Sequence, residues 1–190
     1  MNREDILIKF ENQAEEIIKE YRKELIKFRI KNNEEITFNI KKTINEIIAK
    51  FNEANDNSVY FINFSLLRTS LLENRFEYLL SFHGEQIFYE EPYYYEKIGF
   101  PYLFDEIMKL KNTLENESKK YLGLVKSGDV DRFIQKNICV FHEFVYNLLG
   151  EVLQDIYHWE NYGLLKKDTK VKILIGEYHE IPLELIVGGD

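Results

Sequence analysis

The spacing of apolar residues changes period three times along this chain, and few architectures accommodate that alternation. In residues 3–30, Leu7, Phe10, Ala14, Ile17, Tyr21, Leu25 and Phe28 recur at three- and four-residue steps, the period of an amphipathic helix. Asn2 is placed to cap it, with Glu4 and Asp5 in the first turn. The run Lys31-Asn32-Asn33-Glu34-Glu35 interrupts the stripe, which resumes at Ile36 and continues through Ile40, Ile44, Ile47, Ile48 and Phe51. The spacing therefore predicts a second helix over about 34–55 and an N-terminal helical hairpin across 1–57.

After the turn cluster 55–58 the period drops to two. Tyr60, Ile62, Phe64 and Leu66 share one face of a strand within 59–69, and Phe76, Tyr78, Leu80 and Phe82 share one face of a second strand over 75–82. A short third strand is expected at 86–89, which makes 59–89 an antiparallel meander. Residues 90–102, with Pro92, Gly99 and Pro101, read as irregular.

Helical spacing returns from Pro101, a good first-turn residue, and gives way at Ser127-Gly128-Asp129 to a further helix. Its stripe of Ile134, Ile138, Phe141, Val145, Leu148, Val152, Ile156 and Trp159 is the most regular in the chain. Residues 171–177 and 183–187 then read as a C-terminal β hairpin. A lone hairpin is marginal in water, so these strands are expected to join the meander. The sum is an α+β fold: a single domain over 1–190 with about four long helices on a mainly antiparallel sheet drawn from 59–89 and 171–187.

Composition limits the function classes. Of the 190 residues 45% are hydrophobic, enough for a core, and no Pro/Gly/Ser-rich linker divides the chain. Neither a leader-like apolar run nor a segment long enough to span a membrane is visible. The sole cysteine, Cys139, allows no intrachain disulfide, reads as a small buried hydrophobe, and fits a cytoplasmic location. Abundant Ile, Lys, Asn, Tyr and Phe suggest an AT-rich, bacterial coding bias. The net charge is −8, and six of those charges fall in 58–104 and 171–190, the predicted strand regions. With no basic stripe, nucleic acid is not an expected partner.

Nucleotide-binding glycine loops and the GxSxG elbow are absent. His142-Glu143 opens like a zinc-protease helix, but position 146 is Tyr, which denies the metal its second imidazole. No catalytic group and no cofactor is implied. His142 reads as a core-edge residue, and His83 and His179 as turn residues. A helix face from Glu143 to His158 carries Glu151, Asp155 and His158 one turn apart, a spacing that can hold a divalent metal; an ordinary solvated face has the same look. Arg68, followed by Thr69 and Ser70, could take an anion or pair with a nearby glutamate.

The remaining candidate is the segment from Phe88 to Phe104. Tyr89, Tyr93, Tyr94, Tyr95, Phe100 and Tyr102 stand there among Glu90, Glu91 and Glu96. Rings beside carboxylates suit an interface with a basic or cationic protein partner. The expectation is a non-enzymatic binding protein. The alternatives are a metal- or small-ligand enzyme using the Glu143–His158 face, and a module that homo-oligomerises through its N-terminal helices.

Overall fold

The computed structural model describes residues 2–87, 89–167, 170–178 and 180–185. In chain order its elements are α1 (Arg3–Ala54), β1 (Phe61–Leu66), β2 (Glu77–His83), β3 (Tyr94–Gly99), α2 (Pro101–Ser118), α3 (Ser127–Lys136), α4 (Cys139–Val152), α5 (Glu160–Gly163), β4 (Lys172–Glu177) and β5 (Leu183–Glu184), with short 3-10 segments at Arg68–Glu73, Lys119–Tyr121 and Ile156–His158. The fold is α+β. Its contacts gather into two compact units, Met1–Asn33 with Pro101–Glu143, and Glu34–Phe100 with Phe144–Asp190. None of the helices among the described residues is long and apolar enough to cross a membrane.

The expected N-terminal hairpin is replaced by one 52-residue helix. Its start is the predicted one: Asn2 Oδ1 accepts from the Asp5 N–H at 2.8 Å, and Asp5 Oδ2 accepts from the Asn2 N–H at 3.1 Å, a reciprocal cap. Residues 31–35 do not break the helix because none is Gly or Pro, and asparagine costs only a fraction of a kcal/mol there, roughly 0.7 at most. Asn32 Nδ2 turns back to donate to the Phe28 carbonyl at 2.7 Å, so its side chain spends its hydrogen bond on the helix.

In the first unit, Phe10 sits edge-on to both Tyr121 and Phe133, at 5.9 and 6.1 Å between ring centroids. Phe28 stacks on Tyr102. The Tyr21 hydroxyl donates to Glu106, whose carboxylate is buried; burial and that carboxylate push the Tyr21 hydroxyl well above its ordinary pKa. Arg3 clamps the Asp129 carboxylate, which also accepts from the Lys126 N–H at the start of α3. That backbone N–H and Arg3 hold the Asp129 carboxyl below its usual range.

The second unit holds the sheet, in the order β3-β2-β1-β4-β5. Three of its pairings are antiparallel, and β1 with β4 is parallel. The C-terminal strands do join the earlier ones, as expected, with β4 beside β1. The last part of the predicted strand 183–187, from Ile186, lies outside the described residues. One face of the sheet is apolar: Ile62, Phe64, Tyr78, Leu80, Phe82, Ile98, Ile173 and Ile175 are all buried. Phe51 of α1 stacks on Phe82 at 4.6 Å, which places the second half of the α1 stripe against this face.

The third strand is not at 86–89. There the Gln86 carbonyl accepts from the N–H groups of Tyr89 and Glu90, so the backbone turns instead; Phe88 lies outside the described residues. The strand is β3, inside the segment expected to be irregular. Its Tyr94, Tyr95 and Ile98 are aromatic and β-branched residues that favour a pleated surface, and its bracketing prolines punctuate the strand rather than disrupt it, Pro101 opening α2.

The long helix expected up to Trp159 is divided. Asn137 ends α3, its Nδ2 donating to the Phe133 carbonyl at 2.9 Å, and a 3-10 turn follows α4. The stripe nevertheless faces inward throughout, from Ile134 to Trp159.

Candidate ligand-binding site

Strand alternation gives the sheet a second face, and on β1 and β2 that face is polar. The register sets Asn63 opposite Ser81, Ser65 opposite Leu79 and Phe61 opposite His83. On the next strand over, Ser81 faces Tyr95 and Leu79 faces Lys97. Although they point away from the apolar core, Ser65, Ser81 and His83 are buried, at 5, 3 and 8% exposure.

Described residues of two connections flank them: Ile87 and residues 89–92 from the β2–β3 side, and Tyr178 and residues 180–182 from the β4–β5 side. Each is seated by close approach to a glycine. The Tyr93 ring lies so near Gly84 that a Cβ there would fall 2.2 Å from its hydroxyl oxygen, and a Cβ on Gly176 would fall 2.8 Å from the Pro182 backbone. Both connections line a cavity of about 890 Å³ with Asn63, Ser65, Ser81 and His83 in its floor, and Tyr89, Glu90, Glu91, Tyr95, Lys97, Glu177 and Glu180 among its walls. Its volume is in the range of small-molecule sites.

The floor is hydrogen-bonded but not saturated. Asn63 Nδ2 donates to Ser65 Oγ at 2.9 Å, His83 Nε2 lies 2.9 Å from Ser81 Oγ, and Ser81 Oγ is 3.4 Å from the Asn63 carbonyl. Asn63 Oδ1 and His83 Nδ1 are buried without a hydrogen-bond partner. Buried polar atoms are normally satisfied, and two residues of this one cavity lining, Asn63 and His83, each carry an unsatisfied one. Burial pushes the His83 imidazole down to about 4, so it is neutral at physiological pH.

The anticipated site residues divide between the two faces of β3. Tyr89, Glu90, Glu91 and Tyr95 line the cavity, with Tyr93 over Gly84. Tyr89 and Tyr95 are well exposed, at 87 and 62%. Tyr94 and Glu96 fall on the helix-facing side: the Tyr94 hydroxyl donates to Glu96 at 2.9 Å, and Lys50 donates to the same carboxylate at 2.7 Å. Lys50 and Tyr94 together hold the Glu96 carboxyl below its usual range. Two of the expected contact residues are not surface rings. Phe100 is fully buried, packed on Phe76 and Tyr78, and Tyr102 is half-buried on Phe28.

Arg68 is engaged by Glu177, its fork spanning both carboxylate oxygens, one contact at 2.6 Å. That geometry occupies the donors an anion would use. Glu151, Asp155 and His158 do not share a helix face, because α4 ends at Val152. Asp155 instead accepts from Lys41 at 2.8 Å and from the Trp159 indole at 3.1 Å. Among the described residues no three His, Cys, Asp or Glu side chains gather as a metal cluster.

Cys139 is exposed rather than buried; it opens α4 one residue beyond the stripe. His83 closes β2 instead of forming a turn, and His179 lies outside the described residues. Of the floor residues, His83 reads in the sequence as a turn residue, and Asn63, Ser65 and Ser81 are not among the expected site residues. Their signal in the sequence is the pair Asn63 and Ser65 and the pair Ser81 and His83, each at alternate positions of one strand. Comparison of the chain with family models, with curated proteins and with solved structures returned no match.

Proposed function

We propose that this protein is a non-catalytic binding protein whose ligand is a small organic molecule held on the polar face of the sheet. The observation that carries the reading is the cavity whose floor keeps two buried, unpartnered polar atoms. A protein does not ordinarily leave such atoms without a partner, because each costs about 1–3 kcal/mol. A ligand that meets them recovers that cost on binding.

Binding is favoured over catalysis by the same residues. Ser81 and His83 are within hydrogen-bond reach, but a nucleophile–base pair needs a third group to orient the imidazole, and His83 Nδ1 has no hydrogen-bond partner. An imidazole held down to about 4 is also a weak base at neutral pH, far from the match that proton transfer requires. One cysteine and no disulfide suit a reducing compartment, and we place the protein in the cytoplasm on that ground.

A fragment collection of mixed charge, screened by amide chemical-shift mapping, tests the proposal. Hits are expected to move the signals of Asn63, Ser65, Ser81 and His83. Ser65→Phe, which fills the cavity from its floor, is expected to abolish them while leaving the circular dichroism spectrum unchanged. Hits that persist in a folded Ser65→Phe protein would place the ligand elsewhere.

The strongly exposed Tyr89 and Tyr95 favour a second reading, in which the cavity rim docks a basic protein partner. Changing Tyr89 and Tyr95 together to Ala would then abolish capture of that partner. Equal capture by the folded double variant would remove this reading.

A further inference from the structure

We infer that the ligand is an organic cation rich in N–H donors, such as an amidine, guanidine or primary amine, rather than a carboxylate or phosphate. The inference rests on the binding reading above and adds the chemistry of what is bound.

The open valences of the floor give the first argument. Asn63 gives an Nδ2 proton to Ser65, and its buried oxygen Oδ1, which can only accept, has no partner. An anion would meet that oxygen lone pair to lone pair, whereas an N–H donor satisfies it. His83 Nδ1 is a second unpartnered atom on the same floor, and His83 is 8% exposed, so bulk water does not serve it.

The walls give the second argument. Glu90, Glu91, Glu177 and Glu180 line the cavity against a single ammonium, Lys97. Lys97 itself lies 3.5 Å from the Glu77 carboxylate, and Glu177 is shared with Arg68. The field in the cleft is negative, which raises the local concentration of cations and repels anions. The third is the pair of exposed rings, Tyr89 and Tyr95, whose π faces attract a desolvated cation.

Benzamidine, benzamide and benzoate share one ring and differ in charge and donor count, so they serve as probes. Titration calorimetry with wild-type protein is expected to rank benzamidine at least tenfold tighter than benzoate, with benzamide between. The E90Q/E91Q variant is expected to weaken benzamidine about tenfold and to leave benzamide unchanged. If benzoate or benzamide binds at least as tightly as benzamidine and moves the amide signals of Asn63, Ser65, Ser81 and His83, the cation assignment is overturned and the cavity stands as a binding site. If neither these probes nor any member of the fragment collection moves those signals, the cavity reading and the cation assignment fall together.

Discussion

At the end of β2 the His83 imidazole is held down to about 4 by burial, while in an unfolded chain a histidine titrates near 6.5. Between those values the unfolded state binds a proton that the folded state refuses. Stability from this group is therefore complete above about pH 6.5 and is lost as pH falls toward 4, by about 3 kcal/mol in all. Carboxylates also contribute to acid loss, so the measurement is a comparison. The unfolding free energy of His83→Asn should fall less steeply than wild type between pH 6.5 and 4, and parallel curves would mean that His83 is not buried as a neutral ring. At this scale the sequence was only partly readable. The cap at Asn2 follows from neighbours three residues apart. The partner of Arg68 is Glu177, 109 residues away, and no local pattern points to it. The floor of the cavity was hidden by a different fact: the strand period of β1 and β2 is carried by their apolar face, and Asn63, Ser65 and Ser81 opposite it have the look of an ordinary solvated face.

Among the elements, α1 poses the sharpest contrast between sequence and structure. Two asparagines and two glutamates interrupt the apolar stripe, yet an interruption of polarity is not an interruption of backbone. Glu34 is exposed within the helix, so replacing it with proline probes the backbone alone. Glu34→Pro removes a helical N–H and drives its ring into the preceding turn, a cost of about 3 kcal/mol or more. Chemical denaturation should show that loss, whereas an unchanged midpoint would be the signature of a loop at this position. The same reasoning explains β3. Two prolines and Gly99 look like loop punctuation, but they stand at the ends of the strand and leave its interior to Tyr94, Tyr95, Glu96, Lys97 and Ile98. Alternation along those residues sends Tyr95 and Lys97 to the cavity, and Tyr94 and Glu96 to the helix-facing side, which is why a cluster of tyrosines in sequence is not a cluster in space.

For the molecule as a whole, the α+β class was legible because it depends on periodicity, summed over many residues. The two compact units were not, because two of their three boundaries fall inside α1 and α4, where composition marks no linker. Nor was the parallel partnership of β1 with β4, since nothing in either strand names the other. A chain cut after Lys170 lacks β4 and exposes one full edge of β1, where unpaired N–H and C=O groups invite other chains. Such a truncation is expected to associate in concentration-dependent light scattering while the intact protein does not. A truncated chain that scatters as the intact one does would mean that β1 is not left open.

That pairing also sets an order of events during synthesis. β1 is translated more than a hundred residues before the strand that sits beside it, so on the ribosome it must wait with one side uncovered until residues 172–177 emerge. Loop closure over that separation is slow compared with a local hairpin, and the waiting species is the one most open to misassembly. The cavity is incomplete in that interval, because Glu177, Tyr178, Glu180, Ile181 and Pro182 of its lining are carried by the same late segment. The ligand proposed above would thus check completion: only a chain whose later strands have been made and paired could hold it.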